Sequence, residues 1–190
     1  MSALDTFIRE VASVARASDD EHQVAQRVAE LLSALLAGGY RPPAELTRTS
    51  ADRHVTYPLY VAPDDSLSVA CVVWAPGQRT PVHSHETWGV AGIVSGVERE
   101  VRYLKPRDDQ VRAPLTPAGV NDWTRGQVTV CCTTDDDVHA VTAIGEEPTI
   151  GIHVYGGNIG IIKRRSYDPA TGAVEWFASG WDAPSATSVG

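Results

Sequence analysis

Residues 77–96 read GQRTPVHSHETWGVAGIVSG, and this stretch decides how the rest of the chain is read. His83 and His85 form an H-x-H pair framed by glycines as Gly77-x5-His83-x-His85-x3-Gly89-x6-Gly96. On a strand, side chains at i and i+2 leave the same face, so both imidazoles can converge on one metal ion. The apolar stretch that follows, near 87–95, ends at Ser95-Gly96, a turn signal.

Outward from this stretch the hydrophobic period stays at two. Upstream, Val55, Tyr57, Leu59 and Val61 alternate with other residues, and Leu67 to Trp74 forms a short apolar run. Downstream, strand-like segments fall near 97–104, 127–132, 137–142, 149–155 and 159–164. Turn residues separate them, among them Pro63-Asp64-Asp65, Pro76-Gly77, Gly145 and Gly156-Gly157-Asn158. Many short strands at this spacing predict an all-β sandwich or barrel rather than parallel βαβ units. Lys105 to Gly126 is rich in Pro, Asp and Gly and reads as loop with at most one short strand.

The first forty residues change period. Leu4, Phe7, Ile8, Val11 and Val14, then Val24, Val28, Leu31, Leu32, Leu35 and Leu36, recur at helical spacing. Ser2 with Asp5 and Ser18 with Glu21 stand at capping-box spacing, and Gly38-Gly39 supplies a stop. The expected organisation is a helical preface over 1–40 that covers one face of a β domain over 41–182, with a flexible tail over 183–190.

The chain has 190 residues, and its 16 Lys+Arg against 24 Asp+Glu give a net charge of −8. That length suits one domain, and the acidic balance argues against nucleic acid or an anionic membrane as partner. No apolar run approaches the roughly 18 residues of a membrane span, and the N-terminal segment lacks the pattern of a signal peptide. Cys71, Cys131 and Cys132 are odd in number, two of them adjacent, so no disulfide framework is expected. The expectation is a cytoplasmic protein, with no indication of its oligomeric state.

Of six histidines, four stand on strand-like segments of the β region: His83, His85, His139 and His153. His139, in DDDVHAV, is the natural third partner for the pair, and His153, in GIHVY, competes for that place. Alternation puts Gly151, His153 and Tyr155 on one face, where a His–Tyr pair can stand above a metal or simply satisfy two buried polar groups. Three imidazoles leave the charge of a divalent metal uncompensated and its coordination positions open. Zn(II) suits such a donor set at least as well as Fe(II) by affinity. Glu86 reads as a solvated or supporting carboxylate, and Asp135 to Asp137 as a solvated turn. Trp88 is expected at the cavity wall, the other tryptophans in packing, and Cys131 and Cys132 as buried small residues facing opposite sides. His22 and His54 have no partner pattern and read as structural.

The glycine-framed H-x-H stretch matches the first metal motif of the cupin β-barrels, with Gly89 where that motif usually carries a glutamate ligand. Beyond it, SVACVVWAPGQRTPVHSHETWGVAGIVSGVERE, DVHAV, IGIHVYGGNIG and RRSYDPATGAVEWFASGW follow in order over Leu67 to Trp181. In these segments the chain resembles the thiol dioxygenases of the cysteine dioxygenase type I family, and more nearly the bacterial branch that includes 3-mercaptopropionate dioxygenase. The resemblance implies a cupin double-stranded β-helix (jelly-roll) barrel and mononuclear Fe(II) on His83, His85 and His139. It implies addition of both atoms of O2 to the sulfur of a small-molecule thiol, giving a sulfinate, with Tyr155 oriented by His153.

Several positions depart from the family pattern. Gly151 replaces the serine of its Ser-x-His-x-Tyr row, and Gly89 stands near the place of a cysteine that crosslinks to the row's tyrosine in animal members. The upstream stretch HVTYPLY lacks the arginine or glutamine that helps hold a substrate carboxylate, so Arg164, in Lys163-Arg164-Arg165, is the expected substitute. Two further readings stay open: a three-histidine iron cupin acting on a non-thiol, diketone-like chelate, and a non-catalytic, metal-stabilised ligand-binding cupin.

Overall fold

The structure, a computed structural model, describes residues 2–105, 112–135 and 137–183. Two helices come first, α1 (Ala3–Ala17) and α2 (Glu21–Ala37), and a single 3-10 turn (Ala44–Leu46) leads into the sheets. Ser2 and Asp5 close the expected capping box on α1. On α2 the cap is Asp20 rather than Ser18. The Asp20 carboxylate accepts from the backbone of His22 and Gln23, and the Ser18 hydroxyl is spent on the backbone N–H of Asp20.

Eleven strands follow among the described residues: β1 (Val55–Val61), β2 (Ser68–Trp74), β3 (Val82–His83), β4 (Gly89–Ser95), β5 (Val97–Tyr103), β6 (Pro117–Thr124), β7 (Val128–Cys131), β8 (Val138–Ile144), β9 (Thr149–Tyr155), β10 (Arg164–Tyr167) and β11 (Val174–Phe177). They form two antiparallel sheets, β1-β2-β9-β4-β7 and β11-β10-β3-β8-β5-β6. This is the all-β body that the alternation predicts, in the double-stranded β-helix arrangement that the resemblance implies, with helices added on one face.

The alternation divides the five-stranded sheet. Val69, Cys71, Val73, Val90, Val94, Ile152 and Val154 pack with Phe7, Val11, Val28, Leu32 and Leu36 of the helices in one buried cluster. The opposite parity of β2, Ala70, Val72 and Trp74, meets Val141 and Ala143 of the second sheet. The helices therefore complete the core on one face and leave the space between the sheets to other side chains.

Four local expectations need correction. The segment predicted as a strand near 159–164 is a turn closed by the Asn158 carbonyl, which accepts from Ile161 and Ile162, and pairing resumes only at Arg164. Val174–Phe177 forms a strand against β10 that its short polar-interrupted pattern did not announce. The region expected to be loop with at most one short strand holds, among its described residues, one strand, β6, which at eight residues is longer than expected and pairs along β5. Residues 106–111 of that region, and 184–190 of the expected flexible tail, lie outside the described residues. The H-x-H pair is also split, because β3 ends at His83 and His85 falls in the following bend.

Leu32 is completely buried between α2 and the sheet. Leu32→Ala is expected to destabilise the fold by about 2–5 kcal/mol in urea unfolding, and a loss below about 1 kcal/mol would show that the helix is not part of the core.

Candidate metal centre

Pairing across the second sheet builds the centre. His83 on β3 stands directly opposite His139 on β8. The bend after β3 brings His85 to them, with ring centroids 4.8 to 5.0 Å apart in each pair. One donor nitrogen from each of the three lies within 4.8 Å of the others, close enough for one ion. His153, the competing candidate, is not in this group.

Each Nδ1 already has a neighbour, which leaves Nε2 of each ring for a metal. His83 Nδ1–H donates to the Pro81 carbonyl at 3.1 Å. His139 Nδ1–H donates to Glu100 Oε1 at 2.6 Å. His85 Nδ1 lies 3.5 Å from Cys131 Sγ. Burial, then the neighbouring imidazoles, hold the pKa values of His83 and His85 well below the usual imidazole range. Two neutral buried imidazoles and a third fixed by a carboxylate fit a divalent ion.

Glu100 is the main support. It is 3% exposed, accepts from His139 and from Trp123 Nε1 at 2.9 Å, and has the Arg102 guanidinium 3.1 Å away. Burial raises its pKa, but these partners outweigh burial and bring it down to about 2. Asp137 sets the position of His85, accepting from its backbone N–H at 3.4 Å while paired with Lys105. Asp137 is therefore buried, contrary to the solvated turn expected for Asp135 to Asp137; Asp136 lies outside the described residues.

The three histidines open onto a cavity between the sheets with a free volume of about 80 Å³. His153 Nδ1 and the Tyr155 hydroxyl share a hydrogen bond of 3.0 Å on its wall. Burial lowers the pKa of His153 to about 3 and raises that of Tyr155. Arg164, 7% exposed, also lines the cavity. It donates to the Ile159 carbonyl at 3.1 Å and to Ser179 Oγ, and its guanidinium stacks 4.8 Å over Phe177. Its Nε has no hydrogen-bond partner.

Trp88 is placed elsewhere. It packs in the core cluster with the helices, its indole over Gly156, and is not on the cavity wall. Glu86 is an ion-pair partner of Arg165 and accepts from Ser84, which holds the left-handed turn after His85 at φ 58°. The two unusual glycines have steric reasons. A Cβ at Gly89 would meet Cys131 Sγ at 2.9 Å and the Tyr155 ring at 3.3 Å, so a glutamate there has no room. A Cβ at Gly151 would lie 2.8 Å from His153 Nε2, which occupies the space of a side chain and has no partner of its own.

Sequence reasoning missed Glu98, Glu100, Cys131 and His54 as cavity residues. The signal for the glutamates was present in VEREVRY, where Glu98 and Glu100 share one face of a strand and Arg99 takes the other. His54 stacks on Trp74 at 4.2 Å, and burial and Arg53 lower its pKa to about 4.

Together the fold and the site define a double-stranded β-helix protein with a three-histidine group that can hold a metal ion. No protein-family model matches the chain. It is similar to a double-stranded β-helix protein of Klebsiella pneumoniae, at 18% identity over 63% of this chain and 84% of that one, with a TM-score of 0.46. It is similar to a cupin superfamily protein of Desulfitobacterium hafniense, at 11% identity over 61% and 89% of the two chains, with a TM-score of 0.45. An oxalate oxidase complexed with the substrate analogue glycolate aligns at 17% identity over 63% and 59%, with a TM-score of 0.46. Among the described residues no helix is long and apolar enough to cross a membrane.

Two predictions follow from the electrostatics of the centre. Glu100→Gln is expected to weaken metal retention about 10- to 100-fold in a chelator competition, and unchanged retention would remove Glu100 from the site. The second concerns acid. His54, His83, His85 and His153 titrate near 6.5 when unfolded and well below that when folded. The unfolded chain therefore takes up protons that the folded chain refuses as pH falls below about 6.5, and stability falls with it. The Tm of the metal-free protein should drop steadily from about pH 7 to about pH 5, and a flat profile would show that these rings are not held neutral.

Proposed function

We propose that the protein is a non-heme iron dioxygenase that adds both atoms of O2 to a small-molecule thiol, RS⁻ + O2 giving RSO2⁻. The observation that carries this reading is the composition of the cavity wall: three imidazoles with no carboxylate among the donors, beside a tyrosine–histidine pair and a buried arginine. Fe(II) held by His83, His85 and His139 would supply the redox chemistry between O2 and the thiolate.

The chain's own residues would supply binding, orientation and proton control. A neutral donor set keeps the centre positive and so favours an anionic substrate group. Arg164 has its Nε unengaged in the cavity and would hold a substrate carboxylate, in place of the upstream residue that the chain lacks; Thr56 lines the wall there instead. Tyr155, kept un-ionised by burial and tied to His153, would donate its hydroxyl proton to a developing negative oxygen. Leu67, Val69, Cys71, Val73, Ile152 and Val154 keep water from the far side of the sheet by packing under the helices.

The absence of the upstream arginine or glutamine, with Gly151 in place of a serine, favours one second reading, O2-dependent cleavage of a non-thiol chelate. One experiment separates these readings from a ligand-binding role: O2 uptake by the anaerobically Fe(II)-reconstituted protein against a panel of small thiols, with product mass recorded. A product heavier by two oxygen atoms, with matched O2 uptake, is the expected result. Uptake with a diketone but with no thiol would move the assignment to the non-thiol dioxygenase, and no uptake with confirmed iron would leave the binding role. His83→Ala should abolish both metal retention and turnover. Tyr155→Phe should keep the metal and slow turnover about tenfold or more, and an unchanged rate would remove Tyr155 from the mechanism.

A further inference from the structure

Away from the cavity, a second set of donors meets where α2 begins and β7 ends. His22, read as structural from the sequence, stands in the first turn of α2. Cys132 and Asp135 lie three residues apart in the turn that follows β7. One donor atom from each of the three lies within 4.8 Å of the others. The Cys132 carbonyl accepts from the Asp135 backbone N–H at 3.0 Å, which closes the turn that carries both the thiol and the carboxylate. Two ligands separated by two residues are a spacing that zinc sites use, and the third comes here from the helical preface.

Neighbouring groups hold these donors in place. His22 Nε2 lies 2.8 Å from the Thr134 hydroxyl. Glu21 Oε2 accepts at 2.8 Å from both the backbone N–H and the hydroxyl of Thr133. With Nε2–H given to Thr134, His22 Nδ1 turns its lone pair toward Asp135 Oδ2, 3.5 Å away. Two acceptors facing each other need a cation between them. The separation is long for an N–H···O hydrogen bond and close to the roughly 3.4 Å between nitrogen and oxygen donors across a tetrahedral zinc ion. Cys132 is 2% exposed at the edge of the core under the helices, whereas the His22 and Asp135 side chains are 55% and 59% exposed. The thiol is therefore the floor of the site, and the imidazole and carboxylate are a rim that solvent can reach. Asp20 and Glu21 offset the positive end of the α2 dipole, which would otherwise oppose a cation there.

We propose that His22, Cys132 and Asp135 form a second metal site, which takes Zn(II) with water as the fourth ligand and fastens the helical preface to the β body. One thiolate, one imidazole and one carboxylate suit a borderline-soft ion. Mg(II) and Ca(II) prefer oxygen donors throughout and would find a single carboxylate. The thiol proton leaves to solvent as the Zn–S bond forms. The same turn leads to Asp137, which accepts from the His85 backbone, and to His139 on β8, so the clamp also steadies the support of the first centre. The inference is independent of the dioxygenase reading and of any substrate in the cavity.

The test is titration of the metal-free full chain with Co(II), which takes the place of zinc and gives a near-ultraviolet charge-transfer band when a thiolate is bound. Three imidazoles at the first centre cannot give that band. The wild type should show it, and Zn(II) should displace it. His22→Ala and Asp135→Ala, both at exposed side chains, are each expected to weaken Co(II) binding read at this band about 100-fold or more. Cys132→Ser should abolish the band, and Cys131→Ser should keep it. Hydrogen exchange at 20–24 and 132–135 should slow with Zn(II) in the wild type and not in His22→Ala. No band in the wild type, or equal affinity in His22→Ala, would overturn the site and leave His22 and Asp135 as a surface ion pair. A band lost in Cys131→Ser and kept in Cys132→Ser would also overturn it, by placing the thiolate at the first centre. Exchange at both segments that Zn(II) leaves unchanged would overturn the clamp.

Discussion

The antiparallel register that sets His83 opposite His139 is the constraint on which the rest of the site depends. A strand of only two residues, β3, carries it, held between β8 on one side and β10 on the other. Because side chains alternate along a strand, a slip of one residue would turn His139 away from the cavity and bring in a neighbour. The same register places Glu100 on the adjacent β5 within reach of His139 Nδ1, so the strand pairing also chooses the ring's tautomer. The bend after His83 then serves His85, whose backbone N–H is held by Asp137 and whose neighbour Glu86 is paired with Arg165.

Two glutamates on one face of β5 show how environment divides a shared chemistry. Glu100 meets a histidine, an indole and an arginine, and remains ionised far into the acid range. Glu98, the next residue on that face, meets burial and the charge of Glu100, and holds its proton to about 8. The contrast has a structural purpose in the first case, because an ionised Glu100 would raise the basicity of His139 toward a metal ion. In the second case it leaves a carboxyl that keeps its proton beside the Trp74 indole on the cavity wall.

Close approach shapes the remainder of the wall. Cys131 and the Tyr155 ring take the space over Gly89, and the His153 ring takes the space over Gly151. Both glycines stand where a larger polar residue is expected from the family resemblance. In this chain neighbouring side chains fill those positions. The metal group survives the exchange, since neither glycine supports its three imidazoles, and the changes fall on the part of the cavity that would meet a ligand.

Periodicity alone determined the broad outline: a helical preface from the 3.6-residue pattern, an all-β body from the two-residue pattern, and a histidine pair flanked by glycines. His139 was also legible, as a histidine on a later strand-like segment. Local pattern failed where short-range and long-range signals compete. Ile159 to Lys163 is apolar enough for a strand but closes a turn on Asn158, and β11 has too short a pattern to be seen without its partner β10. Tertiary structure alone decided that Trp88 supports the core, that Asp137 is buried, and that Glu98, Cys131 and His54 reach the cavity. The physical reason is that period reports which face a residue takes, whereas its partners across the barrel depend on how two sheets close on each other. Burial and charge at a site arise from those partners.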